Sequence, residues 1–129
     1  MKHMYILIGV SLLCSVSKAE EVNEHVLKRF NHIFRAAFHE GVTYGVKHGK
    51  NRALHHGKKH ITGLILSLRE LVADSFDVEG SGLFDMPLCS SFLYGAQQGS
   101  MYGLRHGVSS GNKVMHEMLH QLHEQLELL

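Results

Sequence analysis

The chain contains no tryptophan, one proline (Pro87) and two cysteines in 129 residues. It has no Asn-x-Ser/Thr glycosylation acceptor and no sustained alternation of apolar and polar residues. Each absence excludes something. Without a period of two, the sequence offers no half-buried strand from which to build a sheet. Cys14 lies inside an apolar N-terminal run, so Cys89 is the cysteine left to a mature chain. An internal disulfide framework, the usual support of a small secreted domain, is therefore excluded. Cys89 is read as a small apolar packing residue, with an intermolecular disulfide or a reactive thiol as alternatives. No run beyond the N-terminus is apolar enough to span a bilayer. The stretch Gly41 to Arg69 contains no acid at all.

Residues 1–19 have the order of a secretory signal. Lys2 and His3 precede the apolar run Met4 to Val16, and Ser17-Lys18-Ala19 supplies small residues before a cut. The run is about 13 residues, against the roughly 20 that a membrane span needs. The expectation is a secreted, extracellular protein starting at Glu20, with residues 20–129 as one domain and nothing transmembrane after cleavage. Removing Lys2 and Lys18 leaves 13 − 2 = 11 Lys and Arg against 12 acids, a net charge of −1 with neutral histidine. The 11 remaining histidines make that charge depend strongly on acidity, because imidazole titrates close to neutrality. Near-zero charge and secretion argue against a nucleic-acid partner.

Apolar and glycine positions follow steps of three and four. The first series is Val26, Phe30, Ile33, Phe34, Ala37, Gly41, Gly45, continuing to Ile61, Leu68 and Val72. A second runs Leu88, Phe92, Gly95, Gly99, Gly103, Gly107, Gly111, Met115, Leu119, Leu122, Leu126. Between them, Asp77 to Asp85 has turn composition, and Asp85 is the expected cap of a new helix with Pro87 in its first turn. The fold class is all-α, with an arm at 20–76, a turn at 77–86 and an arm at 87–128. Gly41, Gly45, Gly49, Gly57, Gly95, Gly99, Gly103, Gly107 and Gly111 would form side-chain-free packing faces. Interior helical glycines cost about 1 kcal/mol each against alanine, so close packing must return the loss. In the simplest arrangement the arms meet antiparallel about the turn, bringing Gly57 near Gly103 and Ala53 near Gly107. Alternatively each arm breaks, at Gly49-Lys50-Asn51 and at Ser109 to Asn112, giving four helices. The segment Gly41-Val-Thr-Tyr-Gly-Val-Lys-His-Gly49 returns as Gly99-Ser-Met-Tyr-Gly-Leu-Arg-His-Gly107, 58 positions on, and suggests duplication. Tyr44 and Tyr102 occupy matching slots and are expected to fill the glycine grooves.

Two patterns carry possible chemistry. His116-Glu117-Met118-Leu119-His120 matches H-E-x-x-H, in which two histidines hold zinc and the glutamate activates water. On a helix, His116, His120, His123 and Glu127 fall within an arc of about 60°. They are the candidate metal ligands, and zinc or copper suits imidazole. A protease is not expected: nine residues follow His120, position 123 is histidine where the longer motif needs glycine, and no strand is available to hold a peptide. The second pattern is the acid-free stretch. Lys47, His48, Lys50, Arg52, His55, His56, Lys58, Lys59 and His60 form a basic, His-rich face suited to phosphate, sulfate or anionic lipid, increasingly so in acid.

Phe30-Asn-His-Ile-Phe-Arg-Ala-Ala-Phe-His-Glu-Gly41, followed by Thr43, resembles the F-x-H-I-F-R-x-x-x-H-x-G core of piscidin-type fish antimicrobial peptides. The likeness spans residues 30–43 and departs at Glu40, where that family is apolar. The resemblance implies an amphipathic helix acting on anionic membranes. Three functions are thus expected to compete. The first is a secreted non-enzymatic protein whose His-rich face binds anionic partners or metal ions according to pH. The second is a host-defence protein. The third is an extracellular structural protein that pairs into homo-oligomers through its glycine grooves.

Overall fold

The computed structural model describes the backbone of residues 10–76 and 82–129, with side chains from residue 24 onward. Residues 1–9 of the expected leader and 77–81 of the expected turn lie outside the described residues. The molecule is all-α: α1 (Val10–His48), α2 (Lys50–Phe76), α3 (Asp85–Tyr102) and α4 (Leu104–Glu127), with no strand among the described residues.

Both arms are broken, each at one glycine. Gly49 has φ +81° and Gly103 φ +82°, a region that glycine enters without the Cβ penalty. The first break falls where the sequence placed it. The second does not: Ser109 to Asn112 lies inside α4. At each break the chain doubles back. Tyr44 and His60 have ring centroids 5.8 Å apart. In an unbroken helix these positions, 16 residues apart, would be about 24 Å apart. In the second half Ser91 Oγ lies 3.8 Å from Met115 Sδ, across α3 and α4.

α1 and α3 make the most extensive contact, while among the described residues no Cα of α2 comes within 8 Å of one in α4. The ring of Phe30 lies edge-on to Phe84 at 5.3 Å. The Ser91 hydroxyl donates to the Phe34 carbonyl at 3.0 Å. Gly41 faces Phe92, and Gly45 faces Ala96. Partner numbers climb together, so α1 and α3 run parallel. This replaces the antiparallel arrangement expected about residues 77–86. Gly57 lies beneath the rings of Phe92 and Tyr44 rather than beside Gly103, and Gly107 lies against the backbone of Gln98 and Gly99 rather than beside Ala53. The physical reason is the additional reversal at Gly49: α2 returns along α1, so α3, which starts beside the end of α2 at the Arg69–Asp85 pair, runs in the direction of α1.

Individual glycines explain how close that contact is. A Cβ on Gly41 would sit 2.8 Å from the Phe92 carbonyl carbon, and one on Gly45 2.7 Å from Ala96 Cα. On α3, a Cβ on Gly95 would meet the Val42 nitrogen at 3.0 Å, and one on Gly99 would meet Val42 Cα at 3.0 Å. Gly49 and Gly103 behave otherwise. Expected on packing faces, they face nothing within 4 Å. They serve as the reversals instead.

A shift of 54 positions, the separation of Gly49 from Gly103, aligns the first helical pair with the second. It matches Phe30 with Phe84, Phe38 with Phe92, Gly41 with Gly95, Gly45 with Gly99, Gly57 with Gly111, Ile61 with Met115, Leu68 with Leu122 and Val72 with Leu126, all of them buried. Contacts exchange accordingly: Gly41 faces Phe92 and Ala96, while Gly95 faces Phe38 and Val42. The repeat visible in the sequence, at 58, is one helical turn out of this register.

At the opposite end Asp85 opens α3, but it is not the cap. Phe84 occupies that position without a side-chain cap bond. Asp85 instead accepts a hydrogen bond from Arg69 Nε at 3.2 Å, fastening α2 to α3.

Candidate anion-binding face

The basic face lies along the seam of α1 and α2 and over the Gly49 reversal. His48, half-buried at the end of α1, stacks on His56 of α2 with centroids 3.7 Å apart and planes 13° from parallel. His55 meets His56 edge-on at 5.4 Å. Tyr44 stacks on His48 at 6.0 Å, and its other neighbours are His60 and Phe92. The rings therefore run in a chain, His60–Tyr44–His48–His56–His55. Lys47, Lys50, Arg52, Lys58 and Lys59 stand exposed around it.

None of these nine residues is ion-paired among the described residues, where the pairs present are Arg69 with Asp85 and His120 with Glu124. The carboxylate on this side is Glu40. It lines an open groove of about 410 Å³ between α1 and α2, with Ala36, Lys59, His60, Gly63, Leu64 and Ser67. α3, packed against both helices, carries no charged residue from Met86 to Tyr102. Packing holds the His56 pKa below its ordinary value, and repulsion from His48, His55 and Arg52 lowers it further. That ring gains its charge late on acidification.

The four candidate metal ligands share one flank of α4 but are differently engaged. His116 and Glu127 are exposed. His120 Nε2 lies 3.3 Å from Glu124 Oε1. His123 turns inward, its Nε2–H donating to Asn31 Oδ1 at 2.7 Å, with the Phe30 ring 5.9 Å away. Burial lowers the His123 pKa, as does His120, while Glu127 opposes the shift. Among the described residues, no group of three or more His, Cys, Asp or Glu side chains is gathered as a metal site. Cys89 is a free, half-buried thiol beside the core, its pKa raised by burial and by Asp85.

Two features escaped the sequence. The tether from His123 to Asn31 depends on which helices meet. So does the position of Arg105 and His106, which the parallel packing brings to the same end as Lys47 and Lys50. Their signal was a second acid-free stretch, Met86 to His116. Tyr102, expected to fill a groove, is 48% exposed, and Tyr44 is the one that packs. No helix of the described residues is long and apolar enough to cross a membrane. Comparison of the chain with family models, curated proteins and solved structures finds no match.

Proposed function

We propose that this is a secreted, non-enzymatic helical protein whose His-rich face on α1 and α2 binds anionic partners, more tightly as pH falls. One observation carries the reading: five Lys or Arg and four His side chains crowd two adjacent helix segments without one ion pair to a carboxylate among the described residues. Unpaired cations in mutual repulsion favour an arriving anion. Acid adds imidazolium charge to the same face, where Glu40 of α1 offsets the cations and Lys47 adds to them. The glycine-every-fourth faces serve as internal packing surfaces that let α1 and α3 sit in backbone contact.

Two observations favour this reading over its rivals. Phe30, Ile33, Phe34, Ala37 and Phe38, the apolar face of the piscidin-like segment, are buried in the folded chain. Gly41, Gly45, Gly95 and Gly99 are covered by the chain's own backbone, which leaves them no groove for a second copy. At His116, His120, His123 and Glu127 a metal would meet His123 with Nε2 already engaged by Asn31, leaving Nδ1 as its ligating atom.

The test is heparin affinity of the mature protein at pH 5.5 and 7.4. Retention should rise at the lower pH. It should fall at both when Lys50, Arg52, Lys58 and Lys59 are changed to Gln. Equal and negligible retention at both pH values ends the proposal.

A further inference from the structure

The parallel course of α1 and α3 places both glycine reversals at one end of the bundle. Two features coincide at that end. The first is charge. The halves of the four helices nearest it, residues 41–62 and 91–115, hold seven Lys or Arg, five His and no carboxylate. Glu40 is the nearest acid along α1, about 12 Å below His48. Glu70, Asp74, Asp85, Glu124 and Glu127 belong to the opposite end. The second is that apolar side chains are exposed beside those cations, whereas the exposed Leu83, Met86, Leu128 and Leu129 of the opposite end stand among its carboxylates. Val46 is 45% exposed, Met101 58%, Tyr102 48% and Leu104 55%. Each lies within three residues of Gly49 or Gly103. The two reversals differ in kind: Lys47, His48 and Lys50 flank Gly49, and Met101, Tyr102 and Leu104 flank Gly103.

Exposed apolar side chains beside unpaired cations match the boundary of an anionic bilayer, where apolar groups enter the acyl region and cations meet headgroup phosphates. A soluble polyanion would use the cations and leave Met101, Tyr102 and Leu104 idle. We infer that this end of the bundle docks on anionic lipid surfaces, the Gly103 reversal inserting while the Gly49 reversal holds the headgroups. This names the partner of the face proposed above and rests on that reading. Acid strengthens the docking by adding imidazolium charge to this end, where His48, His55, His56 and His60 stand on the first pair and His106 on the second. The charged groups around them are Lys47 and, farther down, Glu40 on α1, Lys50, Arg52, Lys58 and Lys59 on α2, and Arg105 and Lys113 on α4. α3 supplies none.

The experiment uses the mature chain with vesicles of phosphatidylcholine alone, or mixed with phosphatidylserine, and heparin in a parallel arm. The absence of tryptophan makes Tyr102→Trp a single reporter. Its emission should shift to the blue, and be quenched by brominated acyl chains, only with the anionic vesicles. Tyr102→Ser with Leu104→Ser should weaken vesicle partitioning at least about tenfold, since each side chain loses its apolar burial. The same pair of changes should leave heparin retention unaltered, and circular dichroism should match wild type because both positions are exposed. Leu66→Ser with Leu93→Ser, exposed residues of α2 and α3 away from the reversals, should leave partitioning unchanged. Heparin retention without vesicle binding overturns the lipid assignment and leaves the anion-binding reading standing. Vesicle binding indifferent to the Tyr102 and Leu104 changes, or an indole reporter that the brominated chains do not quench, also overturns it. Failure in both arms removes the two together.

Discussion

The two helical pairs share an interior and differ in surface. Phe30, Phe38, Gly41 and Gly45 of the first have buried counterparts in Phe84, Phe92, Gly95 and Gly99 of the second. At the reversals, Lys47-His48-Gly49-Lys50 stands where the other pair has Met101-Tyr102-Gly103-Leu104. The glycine stays and everything around it changes. Buried positions are held by volume, because a close-packed interior registers even a single added methylene. Exposed positions have no such restraint, and the chain spends them on two surface chemistries, cationic and apolar. On the reading proposed above, binding is assigned to the positions where the pairs disagree.

The severest way to break the likeness is to fill the α1–α3 contact. Gly41→Ala and Gly95→Ala each drive a methyl into the backbone of the other helix. Backbone cannot rotate aside as a side chain can. Each change should cost about 3 kcal/mol or more, outweighing the roughly 1 kcal/mol of helix propensity gained. Urea unfolding measures both. Near-equal losses support the 54-residue equivalence, and a harmless Gly95→Ala would refute the parallel contact.

Next come the reversals. Gly103 has φ +82° and ψ 179°, backbone that glycine alone adopts readily. Gly103→Ala and Gly49→Ala should each cost about 1–3 kcal/mol. No steric term adds to this, because neither Cβ would meet anything within 4 Å. If either variant melts with wild type, its glycine is not what turns the chain.

How much of this was legible beforehand follows from the glycine spacing itself. Helical periodicity and the missing period of two were enough for an all-α chain, and Gly49 was readable as a break. Register was not. A pattern with glycine every fourth residue matches itself when slid by four, so the likeness at 58 concealed the structural equivalence at 54. Gly49 and Gly103 could not be told from their neighbours for the same reason: positive φ leaves no mark on a string of evenly spaced glycines. On the candidate face, the crowding of cations was legible from composition. The stacking of His48 on His56 was not, since it requires α2 to fold back.

A smaller effect, of opposite sign, distinguishes a glycine with no structural duty. Gly63 lies inside α2 with nothing within 4 Å of an added Cβ, and its equivalent in α4 is the exposed Glu117. Gly63→Ala should stabilise by about 1 kcal/mol. A loss in thermal denaturation would mean that something packs on this face.

The smallest difference concerns the tethers at the far end. The 54-position shift carries Asn31 onto Asp85 and Arg69 onto His123. One fastening is thus an Arg69–Asp85 ion pair and the other a His123–Asn31 hydrogen bond. Only the second titrates near neutrality. Burial holds the folded His123 pKa below 6.5, aided by His120 and opposed by Glu127. Above pH 6.5 the ring is neutral in both folded and unfolded chains, so its titration contributes nothing. Below 6.5 the unfolded chain takes up the proton first. Stability then falls until the folded pKa is passed, and levels off. His123→Gln should remove that portion of the acid-dependent loss while keeping an amide donor for Asn31. His123→Arg with Asn31→Asp should transplant the other tether, whose charges persist until the carboxylate itself protonates. Unfolding free energies compared from pH 7.5 to 5 decide the matter: a constant gap between wild type and either variant means that His123 is not a titrating member of the second tether.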